Sequence, residues 1–336
     1  MKAAVHVGNG LIEIQEWAAP SVGAGEMLLR MRGCGLCGSD IAKLVPGAAG
    51  APSVLGHELV GEVVDVGAGV RRFAPGQRVV AAHHVPCFDC HYCRRGSPSM
   101  CRTFKRINLD PGGFAELVRV PAPNVEHAAF AIPPGMTDET ASFTEPLGCC
   151  LRAARRSRVG AGDVAIVVGL GSIGCLMTQA LRWIGARVLG ADLVAERRAL
   201  GRRAGAEVFE GDGPLDEALA EATEGRGADV IVFTGGGADA LPWGAERIRD
   251  GGMLHSFAGG EGPVLPLPPA ALYHRELTIT ATYSSSPAEL AEAFRLLVAG
   301  TVTVDGLITH RVPLAGLAEG VKLMRGRRAV KVYVTP

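Results

Sequence analysis

Val164-Ala165-Ile166-Val167-Val168-Gly169-Leu170-Gly171-Ser172-Ile173-Gly174 reads as an apolar strand that ends in a glycine turn and opens a helix. The glycines fall as G-x-G-x-x-G, and in this context each has its own task. Gly169 permits the tight turn, Gly171 lets a pyrophosphate approach the backbone, and Gly174 allows close helix–strand packing. The phosphates then meet the free N–H groups and the dipole at the helix N-terminus, where Ser172 and Ile173 lie. An acidic residue is expected about twenty residues further on. Asp192 is there, after Arg187-Val188-Leu189-Gly190-Ala191. Its carboxylate can accept both ribose hydroxyls and would repel a 2′-phosphate, which favours NAD over NADP. Arg197, Arg198, Arg202 and Arg203 are close by, and one of them, with Arg197 counted in the cofactor set, could hold a phosphate.

Outward from this stretch, strand and helix patterns alternate. Helical periodicity over 173–184, 195–204, 215–222 and 238–248 is interleaved with apolar runs at 187–191, 230–233, 253–257 and 277–281. Such alternation predicts an α/β fold with a parallel sheet covered on both faces. The first ~145 residues differ in texture. Short apolar runs such as Met27–Met31, Leu59–Val66 and Arg78–Ala82 are broken by Gly and Pro, which predicts a barrel-like all-β unit. After Pro287 come two further helical stretches, 288–299 and 315–325, and a strand-like run, 329–334.

At 336 residues the chain is long enough for two domains, each with its own core. Lys+Arg and Asp+Glu are equal at 34 each, so no global field recruits nucleic acid or an anionic membrane. Arg152, Arg155, Arg156 and Arg158 read as a solvated helix face. Val164 to Leu181 carries no charge, but its three glycines, Ser172, Thr178 and Gln179 fit strand, turn and buried helix better than a membrane span. Nine cysteines, odd in number and clustered, fit a reducing compartment rather than a disulfide framework. The opening residues lack the apolar core of a signal peptide, so a cytoplasmic protein is expected.

Cys87, Cys90, Cys93 and Cys101 form C-x2-C-x2-C-x7-C in a polar, Gly- and Pro-containing loop. That spacing can bring four thiolates around one tetrahedral structural zinc. Cys37 and His57 offer a second, different ligand set, of the kind that leaves one position open for chemistry. A third ligand must come from elsewhere, with Glu58 and Glu145 as candidates and Cys149 and Cys150 as rivals that read better as buried packing. His255 and His274 read as structural. The Tyr283-Ser284-Ser285-Ser286 run could either supply hydroxyls or simply lead into the helix at Pro287.

Taken together, Gly-Leu-Cys-Gly-Ser-Asp at 35–40, Gly-His-Glu at 56–58, the cysteine quartet, Gly112-Gly113-Phe114-Ala115-Glu116, Glu145-Pro146-Leu147 and the glycine fingerprint make a pattern that runs nearly end to end. It resembles the zinc-containing medium-chain alcohol dehydrogenases, especially their sorbitol and threonine dehydrogenase branch. The resemblance implies a GroES-like zinc-binding catalytic domain over 1–148, a Rossmann NAD-binding domain over 149–286, and a return to the catalytic domain over 287–336. It further implies that Cys37, His57 and Glu58 surround a catalytic zinc. Glu145 would ligate directly or hold the zinc-bound water, Asp40 would orient His57, and Ser39 would take the substrate proton. Two zinc ions per chain and a homodimer or homotetramer are expected. One departure stands out: many relatives place a relay histidine five residues after the first ligand, where this chain has Ala42, with Lys43 beside it.

The implied reaction moves hydride between a secondary alcohol, a polyol or an amino alcohol, and NAD by way of a zinc-bound alkoxide. Two other readings compete. A zinc-free quinone or enone reductase of the same fold would lack both ligand sets. A zinc-stabilised protein that binds a nucleotide without turnover would have no need of Cys37, His57 and Glu145 together.

Overall fold

Val164–Val168 is an inner strand of a six-stranded parallel sheet, in the order Glu207–Val208, Arg187–Ala191, Val164–Val168, Ala228–Phe233, Ile248–Ser256 and Thr278–Ala281. The chain enters near the middle, winds out to one edge, and crosses back to fill the other, which is the doubly wound order of dinucleotide-binding sheets. Ala165, Ile166 and Val167 are all fully buried, because helices cover both faces and leave no solvent side for a polar residue. Helices Ser172–Trp183, Ala195–Arg203, Asp212–Thr223 and Ala240–Arg247 follow the predicted periodicities closely. The computed structural model describes residues 1–45, 50–235, 239–258 and 268–336; Ala238, where the pattern predicts the fourth of these helices to begin, lies outside them.

The chain divides into two units, Cys149–Ser284, which holds this sheet, and Met1–Gly148 with Ser285–Pro336. In the second unit a mainly antiparallel sheet runs His310–Pro313, Val332–Thr335, Met27–Leu36, Glu58–Val66, Arg78–Ala81 and Ala129–Ala131, with Leu117–Val120 also paired to Met27–Leu36. Leu11–Glu16, Lys2–Gly8 and Ser53–Val54 form a smaller sheet. Leu29, Met31, Leu59, Phe114, Val118 and Val332 meet in one core between them. Bulges between Leu28 and Leu29 and between Met31 and Gly33 bend the longest strand, as barrel-like curvature requires.

The all-β expectation for this unit needs correcting. Helices Gly38–Lys43, His91–Arg94, Arg102–Arg106, Ala122–His127 and Asp138–Ser142 lie within it. None is longer than six residues, so no 3.6-residue period can build up in the sequence. The solvated arginine face is also corrected. Arg155, Arg156 and Arg158 are exposed, but Arg152, on helix Thr144–Arg156, is buried and donates to the carbonyls of Tyr283 at 2.7 Å and Ser284 at 3.3 Å. A guanidinium with five donors can be buried where carbonyl oxygens receive it. Among the described residues no helix is long and apolar enough to cross a membrane.

Candidate active site and metal centres

Cys37 ends the long strand Met27–Leu36 and caps helix Gly38–Lys43, while His57 immediately precedes strand Glu58–Val66. The two strands pair antiparallel with Gly35 opposite Glu58, which carries Cys37, His57 and Glu58 to the same end of the sheet. One ligand atom from each of the three lies within 4.8 Å of the others. Asp40 binds this corner together. Its Oδ2 accepts the Cys37 N–H at 3.2 Å, and its Oδ1 accepts the Gly56 N–H at 3.3 Å and lies 3.1 Å from His57 Nδ1. The ring is thereby turned so that Nε2 faces the cluster, with Ser39 Oγ 3.5 Å from it. Burial opposes a charge on His57, but the Asp40 carboxylate, with Cys37 behind it, holds the imidazole well above its ordinary range. A metal held at Nε2 would take the place of that proton.

Glu58 is 1% exposed, and its Oε2 accepts no hydrogen bond. A buried carboxylate beside a thiol and an oriented imidazole is a donor set suited to zinc. Glu145 is buried on the first turn of Thr144–Arg156 but does not join the three within that 4.8 Å compass. Cys149 and Cys150 are buried as well and lie outside it.

The ligand atoms of Cys87, Cys90, Cys93 and Cys101 also lie within 4.8 Å of one another. The Cys90–Cys93 and Cys87–Cys101 sulfur pairs are 3.5 Å apart, too far for a bond and near the roughly 3.8 Å edge of a tetrahedron with 2.3 Å zinc–sulfur bonds. Burial resists charge at Cys101, but backbone N–H groups of Cys87 and Phe104 outweigh it and bring the thiol down to about 6. Burial and the neighbouring thiols push Cys93 up to about 12. Backbone N–H groups, that of Asp89 first, lower Cys87 as well, so two of the thiols are eased toward the thiolate form that a divalent metal requires while Cys93 resists it.

In the parallel sheet, Gly169 has φ +88°, a conformation that favours glycine. A Cβ on Gly174 would lie 1.8 Å from the Gly169 carbonyl oxygen, so helix and strand touch there. A Cβ on Gly171 would meet nothing within 4 Å, which leaves open space over the helix start that Ser172 and Ile173 form. Asp192 accepts from the Leu170 N–H at 2.7 Å and the Val194 N–H at 2.8 Å, so its carboxylate is fixed at the strand end. Of the arginines near it, Arg198 and Arg202 donate to protein carbonyls at 3.1 and 3.2 Å. Arg197 has no hydrogen bond or ion pair among the described residues.

Residues 23–130 match the alcohol dehydrogenase GroES-like domain family and residues 172–299 the zinc-binding dehydrogenase family. The sorbitol dehydrogenase of Halalkalibacterium halodurans is 30% identical over 349 residues, covering 100% of this chain and 99% of that protein. The chain belongs to the zinc-dependent medium-chain dehydrogenases. The L-threonine 3-dehydrogenase of a Chelativorans species is 30% identical over 94% of this dehydrogenase and 92% of its own length. A zinc-binding dehydrogenase from Sinorhizobium meliloti, solved bound to NADP, superposes with a TM-score of 0.86 at 28% identity, covering 100% of this chain and 99% of that one. This dehydrogenase is thus an oxidoreductase of the alcohol dehydrogenase type, with zinc and a nicotinamide cofactor as its chemical partners.

Three side chains near Cys37, His57 and Glu58 escaped the sequence. Lys331 Nζ, 3% exposed, donates to Glu58 Oε1 at 2.6 Å; it lies 2.5 Å from Oε2 as well, at an angle that makes no hydrogen bond. The His83 ring is 4.6 Å from that of His57, with Nδ1 buried and unpartnered, and the His84 ring lies tilted against it at 3.7 Å. Burial, then the neighbouring imidazoles, hold His83 well below its ordinary range. A lone basic residue inside the apolar run 329–334 was the available signal for Lys331. Ser286 is taken up by capping helix Pro287–Val298 together with Glu289, so that hydroxyl serves the helix end.

Proposed function

We propose that this dehydrogenase oxidises a secondary alcohol, of the polyol or amino-alcohol class, with NAD, and that it carries two zinc ions. Cys37, His57 and Glu58 hold one ion; Cys87, Cys90, Cys93 and Cys101 hold the other. When bound, the zinc would supply Lewis acidity toward an alcohol oxygen and the nicotinamide a hydride acceptor. The chain's own residues do the rest. Asp40 keeps His57 in the tautomer and orientation that presents Nε2, as partners of ligating histidines do. Glu145 stands as the nearby carboxylate. Ser39 Oγ, 3.5 Å from Nε2, takes the substrate proton. Ser39 and Ala42 are both exposed, so the proton passes to water where relatives use a histidine. Asp192 accepts the ribose hydroxyls and favours NAD, while Arg197 is the group able to meet a 2′-phosphate. A homodimer or homotetramer is the expected assembly.

The observation that carries this reading is the meeting of Cys37, His57 and Glu58 within 4.8 Å, with Asp40 on the far nitrogen of the ring. The names of the sorbitol and threonine dehydrogenases among the relatives support the substrate class. Metal analysis of the purified chain should find two zinc ions, and NAD reduction should appear across a panel of polyols and amino alcohols. Cys37→Ala should remove one zinc and all turnover. One zinc in the parent, with activity indifferent to Cys37, would sink the mechanism.

A further inference from the structure

Lys331 and Glu58 are not neighbours in the sheet. Leu36 pairs with Val332 and Gly35 with Glu58, so strand Met27–Leu36 runs between the two side chains. With strands about 4.8 Å apart, residues on next-but-one strands meet only if nothing stands between them. Gly35 leaves that gap. A Cβ there would lie 1.9 Å from Glu58 Oε2 and 3.0 Å from Lys331 Cε. The lysine therefore reaches over a glycine, through the interior, to both oxygens of the Glu58 carboxylate, donating to Oε1 at 2.6 Å and lying 2.5 Å from Oε2. A buried ammonium is costly and ordinarily replaceable by apolar packing, so its placement on a metal-facing carboxylate calls for a role.

We propose that Lys331 is a positioning residue that orients Glu58 toward the Cys37–His57 corner and offsets part of its negative charge, leaving a metal held there more electrophilic and less tightly bound. This rests on the reading of Cys37, His57 and Glu58 as a zinc site. Two consequences of losing Lys331 oppose each other. Glu58 loses its tether, which weakens binding, and a cation one carboxylate away from the metal disappears, which strengthens it. The second is larger, because the incoming ion carries two charges and the pair is closed off from water. The tether, by contrast, restrains only the end of one side chain.

The test uses the full chain as parent, Lys331→Met, Lys331→Arg, Glu58→Gln and the double variant Glu58→Gln/Lys331→Met. Zinc affinity is read by competition with a chromophoric chelator for the ion that Cys37→Ala loses, and ligand geometry by the absorption of the cobalt-substituted protein. Lys331→Met should bind that zinc at least tenfold more tightly and shift the cobalt bands, while kcat falls at least tenfold. Lys331→Arg should stay within about threefold of the parent in affinity. If Lys331→Met does not fold, the comparison moves to the Glu58→Gln background, where adding Lys331→Met should again tighten zinc at least tenfold. Two zinc ions in the parent with no tightening in either background overturns the role of Lys331 alone. Only the quartet zinc in the parent overturns the site reading and this one with it.

Discussion

Asp40 shows how much one side chain does at this site. It caps a helix through Cys37, three positions back, and from 16 and 17 positions away it receives the Gly56 N–H and fixes the His57 ring. Burial opposes its charge, but His57, first by its charge and then by its hydrogen bond, holds the carboxyl below the usual range, so it stays ionised. Asp40→Asn keeps the shape and loses the charge. The amide can also favour the wrong ring tautomer. We expect zinc affinity at the Cys37 site to fall about 10–100-fold, the usual effect of removing such a partner. Chelator competition on otherwise folded protein measures it, and an unchanged affinity would refute the orienting role. Cys37, His57, Glu58 and Asp40 were all legible as residues, because they sit in two short motifs. Which carboxylate joins the thiol and imidazole was not, since Glu58 and Glu145 are equally acidic on paper and differ only in where the backbone carries them.

At the scale of elements, the strand–turn–helix over Val164–Trp183 separates two uses of glycine. Gly174 is in contact with the Gly169 carbonyl oxygen, whereas Gly171 faces open space. Gly174→Ala must push the helix off the strand, and by overpacking should destabilise the fold by about 1–3 kcal/mol. Gly171→Ala should leave the melting temperature of the cofactor-free protein nearly unchanged and raise the KM for NAD severalfold, because its methyl enters the space meant for the pyrophosphate. Thermal melts with and without NAD distinguish the pair; equal loss of stability in both variants would contradict the assignment. These elements were readable because each repeats a period along the chain. The short helices of the other unit were not, since a single turn between Gly and Pro has no period to detect. Arg152 belongs here too: it looked like one of four surface cations, and the two carbonyls that receive it come from residues 131 and 132 positions away.

For the molecule as a whole, acid should be destabilising through buried histidines that stay neutral. Burial holds His255 down to about 4, and Thr282 Oγ1 lies 2.9 Å from its Nε2. The unfolded chain takes up this proton near the ordinary value of 6.5, the folded one not until about 4. The contribution is therefore intact above pH 6.5 and lost as pH falls toward 4, up to roughly 3 kcal/mol. His84, also held near 4 by burial, adds to the same window. His255→Gln preserves a hydrogen-bonding group for Thr282 and does not titrate, so its melting temperature should fall less than the parent's between pH 7 and pH 5. Parallel curves for the two proteins would rule out His255 as a source of acid sensitivity.

The sequence alone determined the doubly wound sheet, the two groupings of Cys, His and Glu residues and the acidic residue at the end of the second strand. The groupings and the acidic residue are each written as a spacing within about twenty residues of chain, and the sheet as alternating strand and helix periods between 164 and 281. Tertiary structure alone decided that Glu58 and not Glu145 lies with Cys37 and His57, that Arg152 is buried, and that Lys331 crosses Gly35 to a carboxylate 273 positions away. Contacts of that separation leave no periodic trace. They exist because strands distant in the chain lie side by side in the sheet, and because one residue between them lacks a side chain.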